Sequence, residues 1–162
     1  MSSMIDDERK KLDEKAILEK ETGISDSLSL ENAIELGLHS KNYRILELIP
    51  LVKMAWADGI FGKKEEKIVK EVARERQIDH LPSFPELLDI WRRKSPNPNF
   101  FLIWKEWVQS QKEKMVDAEF DQYAQKTLNL CEKVARSSGG VWGIRSVSDK
   151  EKKTLQKIKS AL

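Results

Sequence analysis

At 162 residues, with 40% apolar and 35% charged side chains, the chain is long enough for one domain with a sizeable core under a densely charged surface. Lys and Arg total 29 against 27 Asp and Glu, a net charge of +2, which argues against the concentrated basic face of a phosphate-driven nucleic-acid binder. Cys131 is the single cysteine, so one chain can build neither a disulfide framework nor a cysteine-based zinc site, and no run approaches the roughly 18 apolar residues of a membrane span.

The start of the chain, Met4-Ile5-Asp6-Asp7-Glu8, has no apolar signal-peptide core, and a cytoplasmic protein is expected, peripheral membrane association staying open. Residues 4–21 read as a charged helix with a thin inward stripe of Ile5, Leu12 and Ala16, closed by Gly23. Residues 28–39 read as a short helix with Leu30, Ala33, Ile34 and Leu38 inward and Ser27 or Ser29 as its cap. Residues 42–57 are apolar on nearly every side, which marks a central buried helix. Pro50 cannot donate to the carbonyl of Leu46, so a kink or restart is expected there.

Residues 63–77 continue with Ile68, Val69, Val72 and Ala73 inward. Ser83-Phe84-Pro85-Glu86 has the form of a capping box and opens a helix to Arg93. Asn97 before Pro98 caps a helix over 98–111. The longest helix, 114–136, places Val116, Phe120, Tyr123, Thr127, Leu130 and Val134 at steps of three or four. After the loop 137–147, Ser148-Asp149-Lys150-Glu151 caps a terminal helix with Leu155, Ile158 and Leu162 inward. An all-α fold follows, a single bundle of about eight helices over residues 1–162, with 1–22 as a charged N-terminal helix.

Leu51-Val52-Lys53-Met54-Ala55-Trp56-Ala57-Asp58-Gly59-Ile60-Phe61-Gly62-Lys63-Lys64-Glu65 reads as a buried helix, a sharp turn and a second helix. It resembles the signature of the tellurite-resistance TerB-like family: a small-residue helix ending in Ala-Asp-Gly, a short apolar loop, then Glu in the next helix's first turn. The resemblance covers residues 45–76 closely and 130–162 loosely. Within the chain, Ala135-Arg136-Ser137-Ser138-Gly139-Gly140-Val141-Trp142-Gly143 echoes the first segment. Both end a helix, turn on glycine, place an apolar–aromatic pair and lead to a helix with Glu at its third position. Two helix–turn–helix halves, 42–78 and 114–162, are the expected organisation.

Turn chemistry accounts for Asp58, Gly59, Gly62 and Glu65: glycine ends a helix in a left-handed conformation, Asp bonds nearby amides, and Glu65 reaches back to the N-cap Gly62. Asp58-Gly59 and Glu65 also reproduce the second half of an EF-hand loop, but Met54 and Trp56 would occupy its first two ligand positions without side-chain oxygen. The family resemblance implies that Asp58 and Glu65 hold a weak divalent cation or, with Gly59, a protein partner. In the second half, Ser137-Ser138 stands where that pattern would want Asp.

His39 and His80 are isolated, Cys131 falls on an apolar stripe, and there is no phosphate loop or nucleophile elbow, so catalysis is not expected. Phe101, Trp104 and Val108 share an inward face. Trp107 lies about 60° round the helix from Trp104 and is expected to stay partly exposed as a partner anchor. The expected function is a non-catalytic TerB-like interaction module in a bacterial stress-response or envelope-associated assembly. The alternative is a metal-dependent sensor or enzyme using Asp58 and Glu65 as ligands. A third, lesser reading is docking on acidic surfaces through the basic stretch 150–159.

Overall fold

A computed structural model describes residues 2–137 and 147–162. Helix α1 is Ser2–Thr22, α2 is Ser27–Glu35, and a 3-10 helix, Tyr43–Leu48, leads into α3, Ile49–Ala55. Then come α4 (Lys63–Glu75), α5 (Phe84–Arg93), α6 (Pro98–Lys114), α7 (Asp117–Ser137) and α8 (Asp149–Ala161). The described residues form a helical bundle with no strand, as the apolar periodicity predicts. None of their helices is long and apolar enough to cross a membrane.

Helix α3 is the hub. Ile49, Pro50, Leu51, Val52, Met54 and Ala55 are all buried, and the helix packs chiefly on α7, with α4, α6 and α8 around it. Each of the Ile, Leu, Val and Met side chains among these contributes about 1.5–3 kcal/mol by leaving water. The expected 42–57 helix is two elements. The 3-10 segment ends and an α-helix restarts with Pro50 in its first turn, where the missing N–H has no intrahelical acceptor to lose.

Asn42 fixes the approach to this hub. It is fully buried, yet its side chain accepts from the His39 amide at 2.8 Å and donates to the Gly37 and Pro82 carbonyls at 3.0 and 3.1 Å. A buried amide satisfied on three sides ties the loop after α2 to the loop before α5. Gln77, at φ 58, closes α4 with the Ile78 amide bonded to the Ala73 carbonyl at 2.7 Å and Ile78 itself in the core.

Several local expectations give way to tertiary context. Ile5, Leu12 and Ala16 of α1 are exposed, and the residues that anchor this helix are Leu18, Thr22 and, just beyond it, Ile24. Leu12 borders a recess with Ile34 of α2 without being covered, and the polar contacts of α1 run through Glu14 to the Ser40 amide and Lys15 to Glu31. Asp26, not Ser27 or Ser29, caps α2, taking both the amide and the hydroxyl of Ser29 at 2.9 and 2.8 Å. Ser83 makes no capping bond; it sits at φ 68, with the chain held by the Phe84 amide on the Leu81 carbonyl at 3.1 Å. Helix α7 starts at Asp117, and Val116 is an exposed linker residue between α6 and α7.

Asn97 caps α6, and Ser148 with Glu151 forms a complete capping box at α8, both as the spacing predicts. The two helix pairs interlock: α3 lies along α7, α3 also meets α8, and α4 also meets α7. The second turn of the internal echo, Ser138 through Gly143, lies outside the described residues.

Candidate functional site at the Asp58 turn

The turn is built by a helix that tightens as it ends. The Trp56 amide bonds to Val52 O at 3.1 Å, Ala57 to Met54 O at 3.1 Å, and Gly59 to Trp56 O at 2.8 Å. Gly59 then takes φ 83, a left-handed conformation natural to glycine, with open space where a Cβ would sit. Phe61 drops back into the core, its ring 6.4 Å from that of Trp56. Ile60, between them, is 72% exposed.

Gly62 is the N-cap of α4, in extended conformation. Glu65 is only 4% exposed, and its carboxylate folds back over the cap: a Cβ on Gly62 would meet Oε2 at 2.8 Å. Gly62 thus leaves room for the Glu65 carboxylate, which any Cβ there would displace, and its own backbone is ordinary extended chain. Asp58, Gly62, Lys63, Lys64, Glu65 and Ser137 line one recess of about 390 Å³ together with Ile60.

Asp58 reaches across the bundle. The Ser148 hydroxyl donates to Asp58 Oδ1 at 2.9 Å while accepting the Glu151 amide at 3.2 Å, and the Ser148 amide donates to Glu151 Oε1 at 2.9 Å. The Asp58 carboxylate thus sits at the N-terminus of α8, where the helix dipole favours negative charge. Ser148 completes a site that the sequence reading treated as local to residues 58–65.

The predicted ligand pair is brought to one recess, but Lys63 and Lys64 share it. Among the described residues no three of His, Cys, Asp and Glu converge as a metal cage requires. Trp107 is corrected outright. It is 7% exposed, set edge-on to Tyr43 with ring centroids 6.3 Å apart, and cannot act as a projecting anchor. The 3-10 helix covers the side of α6 that the helical wheel left at the margin. Trp104 is fully buried, stacked on Phe101 at 5.4 Å.

Cys131 is buried in the core, and burial pushes its thiol far above the usual range, which suits packing rather than nucleophilic attack. His39 turns its Nδ1 to the Lys41 amide at 3.2 Å, and His80 sits beside Asp79 at 3.5 Å on the surface. Sequence reasoning passed over Lys53, although a lone lysine inside an otherwise apolar helix was a visible signal. No protein-family profile, no characterised protein and no solved structure matches this chain.

Proposed function

We propose that the chain is a non-catalytic TerB-like interaction module that presents the Asp58 turn to a protein partner, in a bacterial stress-response or envelope-associated assembly on the cytoplasmic side. The observation that carries this reading is Ile60. A large apolar side chain stands 72% exposed at the tip of a turn whose flanking helices are both packed into the core. Most of its surface is left in water there, while Asp58, Lys63 and Lys64 line the same recess with charge of both signs. An apolar tip with a polar rim is the layout of a small binding epitope. Glu65 and Gly59 shape that face from below rather than touching a partner themselves.

The interlocking of α3–α4 with α7–α8, and the position of Glu65 and Glu151 at the third residue of their helices, support the reading of two related halves. The Ser148 hydroxyl on Asp58 is one polar contact between these helix pairs.

Affinity capture from a bacterial host tests the proposal. Ile60→Ser should lose the captured partner by about 2 kcal/mol or more of affinity with no fall in melting temperature. A partner retained equally by this variant sinks the epitope.

A second reading, a weakly held divalent cation on Asp58 and Glu65, is favoured by one observation: the buried Glu65 carboxylate has no ion-pair partner among the described residues. The two lysines of the recess oppose it. Calcium, magnesium, manganese and zinc should leave the melting temperature unmoved at physiological concentration. A rise abolished by Asp58→Ala would favour the metal-dependent sensor instead.

A further inference from the structure

Lys53 is the only charged residue of α3, and it enters a recess of about 290 Å³ whose polar lining includes Ser95, Asn97 and Thr154. Its Nζ stands 4.4 Å from the centre of the Phe101 ring, and Lys105 Nζ lies 5.9 Å from the same ring. Among the described residues no carboxylate pairs with Lys53. Burial holds its ammonium below the ordinary lysine range, and the charge of Lys157 on α8 pushes it further the same way. On α6, Glu106 is directed about 140° round the helix from Phe101, away from this recess.

Folding alone gains little from such an arrangement. A half-buried ammonium facing a second ammonium loses hydration and meets repulsion, and one aromatic ring returns only part of that. Methionine would fill the same space without the penalty. The rest of the lining is of matching sense: Asn97 and Pro98 place the N-terminus of the 17-residue α6, capped by the Asn97 side chain, at the recess with its positive dipole end. Trp56, Pro96 and Pro98 supply apolar wall.

We propose that this recess binds a small organic anion, with its oxyacid group on Lys53 and its apolar body against Trp56 and the two prolines. The volume suits a ligand of about one ring and its anionic substituent. The site shares no residue with the Ile60 epitope, so either can fail without the other.

The Trp56 indole N–H, fixed by its bond to the Trp91 carbonyl at 2.7 Å, is a convenient reporter in nitrogen–proton correlation spectra. The full chain is titrated with benzoate, phenyl phosphate, inorganic phosphate and neutral benzyl alcohol. A saturable shift of the Trp56 resonance is expected with benzoate or phenyl phosphate and not with benzyl alcohol. Lys53→Met should melt at or above the wild-type temperature and weaken binding by about tenfold or more, a difference of about 1.4 kcal/mol. Lys157→Ala, at an exposed position, should weaken it less and serves if Lys53→Met fails to fold. Absence of a shift with both organic anions, equal binding by the lysine variants, or equal binding of benzyl alcohol overturns the proposal. Inorganic phosphate binding as tightly as phenyl phosphate overturns the role of the apolar wall.

Discussion

Asp58 and Ser148 are separated by 90 residues and joined by a hydrogen bond of 2.9 Å, so the turn after α3 extends the cap of α8. The Ser148 oxygen is thereby used twice, as acceptor for the Glu151 amide and as donor to a carboxylate. Hydrogen bonds to a charged acceptor are the stronger kind, and this one couples two helix pairs that meet through α3 and α7.

A double-mutant cycle measures that coupling. Asp58→Ala should lower stability by about 0.5–2 kcal/mol, the scale of a lost cap, and Ser148→Ala by a similar amount. The two losses should fall short of additive by about 0.5 kcal/mol or more in urea denaturation. Strict additivity would mean that the bond carries no energy.

Gly59 is required by its backbone. At φ 83 an L side chain is strained even in open space, so Gly59→Ala should cost about 1–2 kcal/mol. Gly59→Asn should cost less, because Asn enters the left-handed region more readily. Equal stability of all three proteins by thermal unfolding would refute the strain argument.

The tryptophans of α6 should behave alike. Trp104→Ala and Trp107→Ala each remove a buried indole and should destabilise by about 3–5 kcal/mol. A Trp107 variant with wild-type melting would restore it as a surface position.

Alkaline stability carries two opposing signs. The folded chain holds the Cys131 proton to higher pH than the unfolded chain, because burial raises the thiol. Its contribution is complete below the unfolded value of about 8.5 and is lost as pH rises above it, at no more than about 1.4 kcal/mol per pH unit. Lys53 runs the other way: the folded chain releases that proton first, so its penalty fades as pH approaches the unfolded value of about 10.4. Denaturation between about pH 8 and 10.5 should show a shallower decline for Cys131→Ala and a steeper one for Lys53→Met. Parallel curves for all three proteins would contradict both assignments.

Helical periodicity, the restart at Pro50, the burial of α3 and the caps at Asn97 and Ser148 are all legible in the order of residues alone. These depend on periodicity and on side chains bonding amides two or three residues away, and such signals are local. Tertiary structure decided what stood beyond each face. The apolar residues of α1 share helical spacing, but the bundle covers Leu18 and leaves Ile5 and Leu12 largely in water. Trp107 lies at the edge of its helical face, and its burial comes from other elements, Tyr43 of the 3-10 helix among them. The Ser148 bond to Asp58 and the pairing of Lys53 with Phe101 join residues far apart in the chain. Neither leaves a trace in spacing, because a side chain's own helix fixes its direction and another element fixes what it meets.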